Sequence, residues 1–274
     1  MSAAPSPSPE LNKAMSEYRV HSRNLSHASE NKIHDDDVAR RFGFSGGLVA
    51  GVEVYAYMTH LPLTRWGIAW LERGTAECRF LKPVYDGKLV TVRATENASR
   101  LAISLESDEE PCATGAASLA SDPGVLPVVP IAAAIPEPDD RPEANEVTLA
   151  SGRQLSSRPL CLTPDQLEQY VADIGESDAV YTREHIVHPA FVLRLGNLVL
   201  KDNVKLGPWV HVGSSLRHCG LAHVGESLAA HAEVAANYER GGHRFVDLDV
   251  LIVAEEIRLV ARLRHTAIYR LRQA

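Results

Sequence analysis

Residues 46–61, GGLVAGVEVYAYMTHL, make a helical run that is apolar nearly all round, with Glu53 and His60 as the exceptions. A helix without a polar face has no side to give to water, so it must be surrounded. A curved sheet wrapped about it meets that demand. Strand-like runs around 65–82, 87–96, 99–107 and 112–120 follow and supply the sheet. Residues 88–93, KLVTVR, have the β-rich composition and turn-bounded length of a strand.

The same order of elements occurs a second time. Thr163 stands as an N-cap before Pro164, predicting a helix from 164 to about 174. A second largely apolar helix covers about 189–200, and strand-like runs follow at 209–218, 226–238, 243–253 and 257–270. In the third of these, Val246, Leu248 and Val250 alternate with Asp247 and Asp249. Segments 79–87 and 217–225 match most directly, with Arg at the start and Gly at the end of each. Identity is low, so the repeat rests on shared order. Between the halves, residues 122–148 are proline-dense and suit neither a helix interior nor a central strand, which makes them a linker. The first unit is then 15–121 and the second 149–274. Residues 1–14, rich in Pro, Ser and Ala, read as a disordered lead-in, and a short helix or turn within 11–22 leads into a possible first strand.

Composition excludes several classes. A formal net charge of −7, with no long Lys/Arg block, argues against a nucleic-acid partner. No stretch approaches the roughly 20 apolar residues of a membrane span. No cationic segment followed by an apolar run opens the chain, so a cytoplasmic location is expected. Cys78, Cys112, Cys161 and Cys219 are scattered, which predicts reduced thiols in or near the core. No clustered ligands point to a metal, and no cofactor is expected.

Chemistry concentrates in residues 29–51, SENKIHDDDVARRFGFSGGLVAG. Polar side chains come first, then a glycine turn, then the helix. That order can hold a carbonyl oxygen against backbone N–H groups while a histidine works beside it. His34 reads as a site residue, with a buried, satisfied histidine as the alternative. Asn31 is either its orienting partner or a turn former. Asp35, Asp36 and Asp37 fit an N-cap and an acidic first turn. Gly46 and Gly47 either permit close packing or present amides. Glu53 is read as a carboxylate paired with an Arg or facing a solvated edge, against a raised-pKa acid. Tyr57, Trp66 and Trp70 read as core or tunnel lining.

Asn31-Lys32-Ile33-His34, Asp36, Ala39, Gly43-Phe44, Gly47-Leu48-Val49 and Gly51 resemble, without a gap, the motif of the MaoC-like, (R)-specific enoyl-CoA hydratases. His188-Pro189-Ala190-Phe191 and the closing Arg264-His265-Thr266-Ala267-Ile268-Tyr269 are similar to such domains more loosely. The resemblance implies an α+β double hotdog: two long helices, each wrapped by a curved antiparallel sheet, the two sheets continuous. It implies hydration or dehydration of an enoyl or 3-hydroxyacyl thioester of CoA or an acyl carrier. His34 would then be the acid or base, Asn31 would orient it or the water, and amides near Gly46, Gly47, Leu48 and Gly51 would bind the carbonyl oxygen. The chain departs from the motif at Ser29, where the family has its catalytic Asp. It also has Ala28 for Gly, Lys32 for Pro and Ala50 for a second His. A serine hydroxyl can bond a water but cannot serve as a carboxylate base. Glu30, Asp35 or Glu53 could supply the carboxylate instead, or one acid–base group could suffice. The second half has Glu176 and Asp178 but Tyr181 in place of the His, and these read as structural remnants. A hotdog thioesterase, and an acyl-thioester-binding subunit completed by a homodimer or partner chain, are the alternatives.

Overall fold

The computed structural model describes residues 15–120 and 127–272. The expected disordered lead-in over 1–14 lies outside the described residues, as do positions 121–126 at the start of the linker. The first half runs β1 (Met15–His21), α1 (Asp36–Arg41), α2 (Gly51–Trp66), α3 (Ile68–Arg73), β2 (Gly74–Phe80), β3 (Leu89–Asn97), β4 (Arg100–Ser107) and β5 (Glu110–Leu119). The second runs β6 (Gln154–Ser156), β7 (Leu160–Cys161), α4 (Pro164–Asp173), α5 (Val180–Arg183), α6 (Pro189–Asn203), β8 (Val210–His218), β9 (Ser227–Arg240), β10 (His243–Ala254) and β11 (Arg258–Arg270).

All the strands join one antiparallel sheet in the order β1-β3-β4-β5-β2-β8-β11-β10-β9-β6, with β7 also on β9. The halves meet where β2 pairs β8. Thr75 opposes Arg217 and Arg79 opposes Gly213. Under the offset that relates Arg79 to Arg217, these two pairs exchange, so the junction is a local two-fold. The same offset relates the Leu48–Tyr85 bridge to the Ile186–His223 bridge, and Gly87 (φ 70°) to Gly225 (φ 90°). The repeat is therefore real, and the architecture is the double hotdog that the motif implied.

Two boundaries differ from expectation. The first long helix begins at Gly51 rather than Gly46. Residues 46–50 are drawn out instead: Gly47 N–H donates to Asp36 Oδ1 (2.7 Å), Leu48 N–H to Ile33 O (3.2 Å) and Val49 N–H to Val84 O (2.8 Å). Residues 65–73, read as strand, are helical. Gly67, at φ 59°, ends α2 and turns the chain into α3, whose Trp70 and Leu71 enter the core.

α2 and α6 lie side by side under the sheet. Glu53 on α2 is fully buried and ion-paired with Arg194 on α6, the Arg pairing anticipated. The Arg194 guanidinium lies over the rings of Phe191 (4.9 Å) and Tyr170 (5.5 Å). Burial raises the Glu53 pKa, and the Arg194 charge opposes that. The linker packs onto the second half: Ala133 N–H donates to Ser156 Oγ (2.9 Å) and Glu143 bridges Lys205. The four cysteines are free, and Cys161, expected near the core, is exposed on the marginal strand β7. Among the described residues no helix is long and apolar enough to cross a membrane.

Removing Arg194 strands a buried carboxylate. Arg194→Met is expected to cost about 3 kcal/mol in urea unfolding, and Glu53→Leu with Arg194→Met to recover most of it. In the single variant Glu53 binds its proton more tightly folded than unfolded. The deficit therefore grows as pH rises above the unfolded carboxylate value of about 4.3.

Candidate active site

The segment before α1 is tied down on both sides. Asn24 Nδ2 donates to His34 O (2.9 Å), and Asn24 N–H to Asp86 Oδ1 (2.7 Å). Asn31 caps a short 3-10 turn, Lys32–His34. Its Nδ2 also donates to Trp209 O (3.0 Å), and its Oδ1 accepts from Trp209 N–H (3.3 Å). One amide thus caps the turn, as the turn-forming reading of Asn31 expected, and links it to the start of β8. Asp35 accepts from Val38 N–H (3.0 Å) as N-cap of α1, and Asp36 and Asp37 pair with Arg40.

His34 lies between these ties. Its Nδ1 sits 2.7 Å from Leu48 O, so Nδ1 carries the proton and donates. Nε2 is then an acceptor, and Asn31 Nδ2 donates to it at 3.4 Å. Burial lowers the His34 pKa, opposed by the Leu48 carbonyl. The ring is neutral near pH 7, and His34 lines the cavity. Gly47 makes this possible: a Cβ there would sit 2.2 Å from His34 O. Close packing is its role.

The cavity has a volume of about 600 Å³ and opens between the start of α2, one side of α6 and the start of β8. Ser29, Asn31, His34, Leu48 and Gly51 line it, whereas Gly46 and Gly47 do not. The amides assigned to carbonyl binding need correcting. Those of Gly47 and Leu48 are spent on Asp36 and Ile33. Because the helix starts later, the open donors are at Gly51 and Val52, both on the cavity wall. Ala50, the N-cap, provides no side-chain cap. At the equivalent place in the second half His188 caps α6, its Nδ1 accepting from Ala190 N–H (3.1 Å). One helix start is open and the other is closed.

None of the proposed carboxylates reaches His34. Asp35 is engaged as a cap, and Glu53 is not among the lining residues. Glu30 lines the rim, where the Arg141 hydrogen bond lowers its pKa; Arg141 is 2.7 Å away and Lys201 3.9 Å. Ser29 Oγ donates to Asn31 O (3.2 Å) and so supports the turn. Glu176 accepts from His60 (2.8 Å), Asp178 Oδ1 accepts from Val180 N–H (2.9 Å), and Tyr181 is fully buried. Tyr57 and Trp70 are core, Trp66 packs against it, and none of the three lines the cavity. Sequence reading missed Trp209, Arg194, His211 and Arg141, all on its wall. A lone polar residue in an apolar strand start is the only local signal at His211. Which way it faces depends on pairing with distant strands.

No family sequence model matches the chain, and no curated protein matches it in sequence. Solved structures do. A putative MaoC domain dehydratase from Chloroflexus aurantiacus superposes with TM-score 0.62 at 11% identity, covering 94% of this chain and 95% of that one. Rv0216 of Mycobacterium tuberculosis, described as a double hotdog, gives 0.64 at 14% identity, with 93% and 96% covered. A putative thioesterase II from Thermobifida fusca gives 0.52 at 15% identity, with 92% and 91% covered. At these identities the likeness establishes the fold: the chain is a double hotdog protein.

Gly47→Ala is expected to push the His34 carbonyl aside and to cost about 1–3 kcal/mol in chemical denaturation. An unaltered midpoint would show the contact to be slack.

Proposed function

We propose that the protein hydrates 2-enoyl thioesters, and in reverse dehydrates 3-hydroxyacyl thioesters, with His34 as its acid–base group. The observation that carries this is a neutral imidazole whose acceptor Nε2 meets Asn31 Nδ2 at 3.4 Å, on the wall of a largely apolar cavity shared with an uncapped helix start. A thioester carbonyl seated on the Gly51 and Val52 amides is polarised, which draws electrons from C3. Water adds its oxygen to C3 while His34 Nε2 takes one of its protons. The electron pair of the double bond moves to the carbonyl oxygen as an enolate. The His34 imidazolium then returns that proton to C2, the carbonyl reforms, and the imidazole is neutral again. One residue closes the proton balance, so a chain with Ser29 in place of the family's Asp can complete the cycle. Lys82, Arg141 and Lys201 at the cavity rim suit the phosphates of CoA or of a phosphopantetheine carrier. The solved neighbours include a putative MaoC domain dehydratase of the same double hotdog architecture.

Hydrolysis of the thioester is the second reading. It needs one base for water and donors for the oxyanion, and among the described residues the cavity offers that set with no carboxylate beside His34.

Crotonyl-CoA hydration, followed by loss of enoyl absorbance, is expected for the wild type, and His34→Ala should lower kcat by about 10²–10⁴-fold. Equal rates would remove the role of His34, and free-thiol release without hydration would favour hydrolysis. Because the folded His34 pKa is depressed, the acid limb of the rate profile is expected below about 6.5.

A further inference from the structure

The start of α2 leaves amides open, and a polar side chain from the other half stands beside it. That side chain is Asn197, near the middle of α6. The two-fold at the β2–β8 junction sets α2 and α6 antiparallel, and the Glu53–Arg194 pair fixes their offset. One turn back from Glu53 is Ala50, and one turn on from Arg194 is Asn197. A second set of contacts gives the same register. A Cβ on Gly51 would lie 3.0 Å from His211 Nδ1, and one on Gly196 would lie 3.1 Å from His265 Nδ1. Those two rings are 4.2 Å apart. Gly51 and Gly196 therefore flank one ring pair. Asn197 follows directly, turned about 100° away from the sheet about the helix axis.

Nothing in the packing accounts for Asn197. Asparagine is among the weaker helix formers, because its side chain competes for backbone groups. Here the amide gains no partner in exchange. Among the described residues it makes no hydrogen bond, and its Oδ1 is buried and orphaned. The residue is only half-buried, so the accessible end of the amide is Nδ2. From Pro189 to Lys201 the residues that are not buried are Arg194, Asn197, Leu198 and Lys201, and all four line the cavity. The surface that Nδ2 shows is therefore cavity wall. Turning the amide over would bury its N–H groups without an acceptor, a rarer arrangement than an orphan carbonyl. Charged groups on the same wall are already engaged: Arg194 with Glu53, Arg141 with Glu30 and Lys82 with Glu110.

We infer that Asn197 is a further catalytic residue, whose Nδ2–H joins the Gly51 and Val52 amides in binding the thioester carbonyl oxygen. This rests on the thioester reading of the cavity but not on hydration as the reaction. An oxygen seated on the open helix start gains negative charge as the enolate forms, or as water adds to the carbonyl in hydrolysis. A donor already aimed there needs no reorganisation at that moment. No proton leaves the amide; its hold on the oxygen tightens as charge develops and relaxes afterwards. A neutral amide also brings no charge into a largely apolar wall. The residue comes from the second half, so the copy with the closed helix start completes the one with the open start.

Three measurements on the full chain test the assignment. Saturated acyl-CoA esters of short, medium and long chain, carrying ¹³C at the carbonyl, cannot be hydrated. Their bound carbonyl should move downfield in the wild type and lose much of that shift in Asn197→Leu. An equal shift in both, or none with any ester, overturns the inference. In enoyl-CoA hydration, Asn197→Leu should lower kcat by about 10²-fold with KM changed less than roughly threefold. Asn197→Asp keeps the shape but sets a carboxylate against the forming enolate, and should lower kcat at least as far. Urea unfolding separates catalysis from support. Asn197→Leu removes an orphan acceptor and favours the helix, so its midpoint should match or exceed that of the wild type. A clear fall in that midpoint makes Asn197 structural and overturns the inference. Full activity in Asn197→Leu that coexists with an inactive His34→Ala overturns it too and leaves the hydratase reading standing. An Asn197-dependent carbonyl shift without hydration by the wild type does the reverse.

Discussion

The pairing of β2 with β8 makes one molecule of two similar halves, and the site depends on it. Each half brings an apolar helix that must be covered. The strands of either half form only part of a cover, and joining them gives one sheet over both helices. The junction also fixes what meets at the cavity. Phe80 ends β2, His211 stands near the start of β8, and Asn31 of the first half holds Trp209 of the second by two hydrogen bonds. Beneath them the buried Glu53 and the half-buried Arg194 pair and join the two helices. A charge pair in such a place stabilises little on net, but it resists sliding, because any offset strands a charge.

The site is built from neutral groups in specified protonation states. Leu48 O fixes the proton of His34 on Nδ1 and leaves Nε2 as an acceptor facing Asn31 Nδ2. Depressed pKa values on both cavity histidines keep them uncharged. An apolar wall can tolerate neutral polar groups where it would exclude a bare carboxylate. Ser29 in place of an acid is consistent with that wall, and its hydroxyl serves the Asn31 turn. Of the charged residues that line the cavity, Glu30, Lys82, Arg141 and Lys201 lie at the rim, and Arg194 is paired with Glu53.

Much of this was legible in the sequence. The all-apolar helix and its repetition required two wrapped helices, and the spacing from Asn31 to Gly51 placed His34 on the cavity. The strand positions follow from alternation and turn residues, as Val246, Leu248 and Val250 show by facing the core. The exact start of α2 was not legible. Gly46 to Ala50 could continue a helix by composition, and only the pull of Asp36, Ile33 and Val84 on their amides draws them out. His211 and Arg194 were missed because their surroundings come from the other half. The proline-dense segment was read as a spacer, but Arg141 within it reaches the cavity rim. Proline content says what backbone a segment avoids, not what its side chains touch.

The exchange of Ala50 for His188 has an evolutionary corollary. A pair of identical chains related by a two-fold must keep both mouths open or plug both, because any substitution appears twice. Once the copies are fused, each position is free to drift alone. Here one mouth is stoppered by its own imidazole and the other stays bare. The stoppered copy offers no open amides and lends its residues to its neighbour's cavity as wall. Tethering frees two equals to become unequal.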